Sequence, residues 1–179
     1  MNIDDVLGFW FRELTPAQWY KKDDALDQII RDRFRDLHTK ARQGELFSWR
    51  ENIEGRLAEI IVLDQFSRNI FRDDAQAFSS DVLALVLAQE AIATHEAEQL
   101  VPAQRAFLYL PFMHSESPEI HKVAVALFSE SGMEDNLDFE YKHKIIIDRF
   151  GRYPHRNEVL GRDSTAEEIE FLGTEGSSF

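Results

Sequence analysis

The chain has 179 residues, 44% of them hydrophobic, and a formal net charge of -13 from 20 Lys and Arg against 33 Asp and Glu. Such acidity argues against nucleic acid as a partner, because counterion release needs a continuous basic surface. With no cysteine there is no disulfide, thiol chemistry or thiolate metal site. No apolar run approaches the roughly 18 residues of a membrane helix, and the acidic Met1–Asp5 start lacks the basic charge of a signal peptide. The expectation is one domain over 1–179, cytoplasmic and without a membrane partner.

The apolar spacing is helical nearly throughout, with no period-2 run and no Asn-Gly hairpin signal. Asn2 caps a first short helix carrying Val6, Leu7, Phe9, Trp10 and Phe11. Thr15-Pro16 reads as the cap and first residue of a brief turn that places Trp19. From Asp23, an apolar stripe of Leu26, Ile29, Ile30, Phe34, Leu37 and Ala41 runs to a stop at Gly44. A third helix is predicted from about Asn52 to Arg68, with Leu57, Ile60 and Ile61 inward. A fourth runs from about Ala75 to Thr94, with Phe78, Val82, Leu85 and Val86 inward. Pro102 opens a helix that ends before Pro111. Ser117-Pro118 opens the next, with Ile120, Val123, Ala124, Leu127 and Phe128 inward. Helix 136–150 follows and closes at Gly151, and Thr165 with Glu168 forms a capping box for the last. Short connections make neighbours antiparallel, so the fold class is all-α: helical hairpins stacked into one domain.

Several polar residues fall where apolar ones belong. Asp64 and Arg68 share a helical stripe with Leu57, Ile60, Ile61 and Phe71, and Gln65 with Asn69 makes a second i,i+4 pair beside them. Such groups escape a desolvation penalty only when paired or hydrogen-bonded. A self-satisfied Asp-Arg tie and a ligand-binding role are both open on this spacing. His114 and Glu116 sit between Pro111 and Pro118 on a stiff connector, where a carboxylate could orient an imidazole as a base. His143 shares a core-side stripe with Phe139, Ile146 and Phe150. Glu140 and His143 give one copy of a spacing that di-iron bundles need twice. A crowd of arginines would also repel a cation, so no metal and no cofactor are expected.

The densest signal is Arg149-Phe150-Gly151-Arg152-Tyr153-Pro154-His155-Arg156-Asn157, followed by Leu160-Gly161-Arg162. Arginine is the side chain best shaped for bidentate grip on carboxylates or phosphates. Counting inward-leaning groups sets Asp64, Asp81 and Glu116 against Arg68, Arg105, Arg149, Arg152, Arg156 and Arg162. That surplus of cations calls for a bound anion or for solvent. Ser67 and Ser115 lie near potential bases, but no nucleophile elbow, Walker A loop or Gly-x-Gly-x-x-Gly surrounds them.

Taken together, these segments resemble one bacterial family, that called domain of unknown function nine-twenty-four. The match rests on Val6–Phe11, Leu63–Asn69, Leu110–Glu116, Arg149–Asn157, Leu160–Arg162 and the closing Gly176-Ser177-Ser178-Phe179. The resemblance implies an all-helical fold related to tetratricopeptide-repeat proteins and implies no reaction. At His121 it implies glutamine, so His121 is left out of the site.

The expected function is binding, with turnover as an open extension, of a small phosphorylated or carboxylated ligand. Arg68, Arg149, Arg152 and Arg156 would hold the anion. His155 or His114 would serve as acid/base, oriented by Glu116 or Asp64, with Asn157 or Gln65 as hydrogen-bond partner. Asp64 or Glu116 is expected to touch Arg149, Arg152 or Arg156. Phe179 is expected to bring the tail back onto the arginines. The alternative is a non-enzymatic scaffold that binds a peptide or protein, its polar segments being internal ties; the oligomeric state is open.

Overall fold

In the computed structural model, which describes residues 1–178, the chain is all-helical; the expected docking of Phe179 lies outside the described residues. Helix α1 (Ile3–Gly8) starts at a capping box between Asn2 and Asp5 and runs on as a π-helical turn, Phe9–Glu13. Helix α2 (Pro16–Trp19) follows its own box between Thr15 and Gln18, and α3 (Asp24–Arg42) is capped by Asp23. Helix α4 (Ile53–Ile61) passes through a second π-helical turn, Val62–Phe66, into α5 (Ser67–Ile70). Next come α6 (Asp81–Ala93), α7 (Pro102–Met113), α8 (Pro118–Phe128), α9 (Glu134–Phe150) and α10 (Ala166–Leu172). Helices α6 to α9 each pack on the next, α4 lies against α1, α6 and α7, and α3 lies against α5 and the turn before it. None of the helices is long and apolar enough to cross a membrane among the described residues.

An aromatic cluster forms the centre. Phe9 meets Phe34 with ring centroids 5.0 Å apart, Phe34 meets Phe66 at 4.6 Å, and Trp10 sets its edge against Phe66 and Phe107. Each such ring, fully buried, contributes roughly 1.5–3 kcal/mol of hydrophobic stabilisation. The Trp19 indole N–H donates to the Trp10 carbonyl at 2.8 Å, which ties α2 to the first π turn.

Some expected boundaries and faces move. Pro111 lies inside α7 and not beyond its end, so the helix continues to Met113 and His114 becomes its C-cap. The fourth predicted helix breaks after a 3-10 turn, Ala75–Phe78, and restarts at Asp81. Val82 and Val86 are exposed, as are Ile29, Val123 and Phe139. Helix α6 is apolar almost all round, so spacing alone could not say which side faces the core; Ala84, Leu87, Ala88 and Ala91 do.

Gly55 shows how close the packing is. A Cβ there would lie 1.9 Å from the Trp49 carbonyl oxygen, because the 3-10 turn Phe47–Glu51 rests on α4. Gly55→Ala should therefore cost about 1–3 kcal/mol as overpacking. A urea midpoint equal to that of the parent would contradict this contact.

Candidate functional site

The π-helical turn Val62–Phe66 carries the first part of the site. Such turns interrupt the i→i+4 ladder and leave carbonyls to side-chain donors. Two are taken at once: Ser67 Oγ donates to the Leu63 carbonyl at 2.6 Å, and Arg68 Nη1 donates to the Asp64 carbonyl at 2.7 Å. Ser67 Oγ also meets His38 Nε2 at 2.7 Å. Since the serine proton goes to Leu63, the imidazole must donate, and the pair is a buried tie with no nucleophile in it.

Asp64 is fully buried and accepts from three sides. His114 Nδ1 lies 2.7 Å from Oδ1, Gln65 Nε2 donates to Oδ2 at 2.6 Å, and Arg68 stands 3.3 Å from Oδ1. Burial works against a charge at Asp64, yet His114, Arg68 and the Gln65 bond hold its carboxyl well below the usual carboxylate range. Burial, and then Arg68, push the His114 imidazole below its ordinary value, while Asp64 pulls the other way. The result is a neutral imidazole whose proton sits on Nδ1, facing Asp64. Nε2 is left as an acceptor, with no hydrogen-bond partner among the described residues.

Asp81, the first residue of α6, joins this cluster to the C-terminal segment. It accepts Arg68 Nη1 and Nη2 at 3.0 and 3.1 Å, and Arg156 Nη1 at 3.2 Å. Arg156 lies between the rings of Phe78 and Tyr153, 4.6 and 4.5 Å from their centroids. Its Nε is buried with no partner. Burial, and then the neighbouring Arg68, lower its affinity for its proton without neutralising it.

The C-terminal segment is set by Gly151, the left-handed cap of α9 at φ 68°, and by the 3-10 turn Pro154–Arg156. A second set of ties holds it. Arg162 forks onto both oxygens of Glu116 at 2.6 and 2.9 Å, and Glu116 also accepts the Tyr153 N–H at 2.8 Å. Asn157 accepts from Arg162 Nε and donates to Ser164. Arg152 forks onto Glu168, whose other duty is the capping box of α10. Beneath Tyr153, whose hydroxyl donates to the Met113 carbonyl, His121 Nδ1 meets the buried Glu140 at 2.7 Å.

These contacts revise the sequence expectations. The expected contact of Asp64 or Glu116 with Arg149, Arg152 or Arg156 does not form as an ion pair; the link runs through Asp81. Glu116 clasps the C-terminal segment and orients no histidine. Arg152 and Asn157 belong to that clasp, and Arg149 pairs with Glu167 on the exposed side. The cation surplus also dissolves, because Arg105 finds Glu130 and Arg149 and Arg152 find Glu167 and Glu168. Spacing carried no signal for Glu130 and Glu167, and it marked Glu168 only as a helix cap.

A cleft of about 510 Å³ opens over what remains. It is lined by Gln65, Arg68, His114, His155 and Arg156 from the expected set. The expectations missed its other walls: Trp19, Tyr20, Phe78, Leu110, Met113, Phe139, His143, Tyr153 and Val159. Burial pushes His143 down to about 3 and His155 down to about 4, the latter helped by Arg156. His143 Nδ1 donates to the Phe139 carbonyl at 2.7 Å.

Two predictions follow from the geometry. Glu116→Gln removes the charge opposite Arg162 and should lower stability by about 1–3 kcal/mol, read by chemical denaturation; an unchanged midpoint would mean that the clasp holds nothing. Second, His38, His143 and His155 titrate in the fold near 4, 3 and 4, below the free value of about 6.5. The unfolded chain therefore binds more protons below pH 6.5, and stability falls as pH drops from there. Each histidine adds up to about 1.4 kcal/mol per pH unit. Glu140, raised by burial, opposes this, and His114, also lowered, adds to it. His143→Gln should flatten the curve between pH 6.5 and 4, and a curve of the parent's slope would contradict the assignment.

The chain matches, over residues 6–176, the family described as "Bacterial protein of unknown function (DUF924)". A solved structure of a protein of unknown function, ATU0120 from Agrobacterium tumefaciens, is 39% identical over 96% of each chain, with a TM-score of 0.90. A search of curated proteins finds no match. The chain thus belongs to the bacterial DUF924 family.

Proposed function

We propose that the cleft binds a small anionic molecule and transfers a proton on it, with His114 as the acid/base and Asp64 as the group that positions it. The observation that carries this is the pairing of His114 Nδ1 with the buried Asp64, which leaves Nε2 without a hydrogen-bond partner among the described residues, on a cleft that His114 lines. Nε2 takes a proton from the bound molecule, and Asp64 at 2.7 Å stabilises the imidazolium that forms. Arg156 supplies the attraction for the anion, since only Nη1 of its guanidinium has a hydrogen-bond partner among the described residues. His155 stands beside Arg156 on the same wall and is a second proton carrier. This chemistry requires neither cofactor nor nucleic acid, and we place it in the cytoplasm.

A second reading is a tetratricopeptide-like scaffold for a peptide. It draws on the pairing of every arginine of the cluster with an acid, which makes the polar segments internal ties. Thermal melts with panels of small carboxylates and phosphates separate the two readings. A ligand at 100 times its Kd should add about 2.7 kcal/mol of stability, and mass spectrometry of gently purified protein should find a retained acid. His114→Gln should keep the fold by circular dichroism and lose turnover of that acid. If no anion raises the melting temperature and no small molecule is retained, the scaffold reading replaces the first.

A further inference from the structure

We infer, building on the ligand-site reading above, that the cleft is shaped for a monocarboxylic acid with an apolar or aromatic body, and not for a phosphorylated molecule. The first argument is the supply of charge. Arg68 commits both terminal nitrogens to Asp81 and one of them again to the Asp64 carbonyl. Arg72, also on the lining, is held by the carboxylate of Asp27 through two of its nitrogens. Of the arginines on the lining, Arg156 is the least committed, and the same lining carries the acceptor Nε2 of His114. Those two groups suit one carboxylate: its single negative charge faces Arg156, and His114 Nε2 is left to take a proton from elsewhere on the bound molecule. A phosphate monoester brings about -1.5 to -2 charges, more than this one partly committed cation matches. Lys21 and Lys22 stand at the exposed rim, where water and salt screen them, and Lys22 already lies 3.5 Å from Asp73.

The second argument is the apolar part of the lining. Trp19, Phe78, Leu110, Met113, Phe139 and Val159 line the same cleft. Phe139 is 49% exposed, with Lys142 Nζ 4.8 Å from its ring centroid, and an apolar ligand body would bury more of that ring. Nor does any glycine line the cleft among the described residues, so the glycine-rich turn that cradles phosphates elsewhere is missing.

Calorimetry with phenylacetate, phenyl phosphate and inorganic phosphate at one pH and ionic strength tests this directly. Phenylacetate should bind at least tenfold more tightly than phenyl phosphate, and inorganic phosphate should bind weakest. Phe139→Ala changes an exposed position and should fold; it should weaken phenylacetate at least fivefold. Arg156→Gln should weaken it further, and if that variant unfolds, the Phe139→Ala and phosphate comparisons still decide. Phenyl phosphate binding as tightly as phenylacetate, or a Phe139→Ala protein that binds phenylacetate like the parent, overturns the inference and leaves an anion site standing. If none of the three probes binds, the inference falls together with the ligand-site reading.

Discussion

Two guanidinium groups from distant parts of the chain share one carboxylate. Arg68, at the end of the α4–α5 helix, and Arg156, in the turn after α9, both donate to Asp81 at the start of α6. Unscreened like charges at such a distance repel strongly, so the arrangement persists only because Asp81 lies between them and Asp64 backs Arg68. Removing Asp81 would leave two buried cations facing each other, a costlier change than losing one hydrogen bond. The cleft exists at the point where this bridge draws three sequence-distant segments together.

Burial does the rest of the electrostatic work. His38, His143 and His155 all lose affinity for protons because the folded chain withholds water from them. His114 is subject to the same desolvation, and Asp64 within hydrogen-bonding distance fixes which of its nitrogens carries the proton. That carboxylate marks His114 as the proposed acid/base. The clasp of Glu116, Arg162 and the Tyr153 N–H serves the same end indirectly, by holding the turn that carries His155 and Arg156.

Much of this was legible in the sequence, for identifiable reasons. The cap at Thr15, the capping box at Thr165 and the stop at Gly151 are local chemistry, and they place helix ends correctly. Asp64 and Arg68 stood out because polar residues on an apolar stripe demand partners. The pairing itself was not legible. Glu116 and Arg162 are 46 positions apart, and Arg156 and Asp81 are 75 apart, separations over which spacing says nothing. The π-helical turn also escaped notice, since it shifts the register of a helix without altering its composition. Helix α6 misled for the opposite reason: its apolar residues surround the axis and name no face, so Val82 and Val86 looked inward and are exposed.

The account stands most directly on the proton of His114. Nitrogen-15 chemical shifts of its imidazole at neutral pH report each ring nitrogen separately. The structure predicts a neutral ring with the proton on Nδ1, held by Asp64, and an unprotonated Nε2 facing the cleft. In Asp64→Asn that preference should vanish. A His114 that is protonated on Nε2, or on both nitrogens, in the parent at pH 7 would contradict the account.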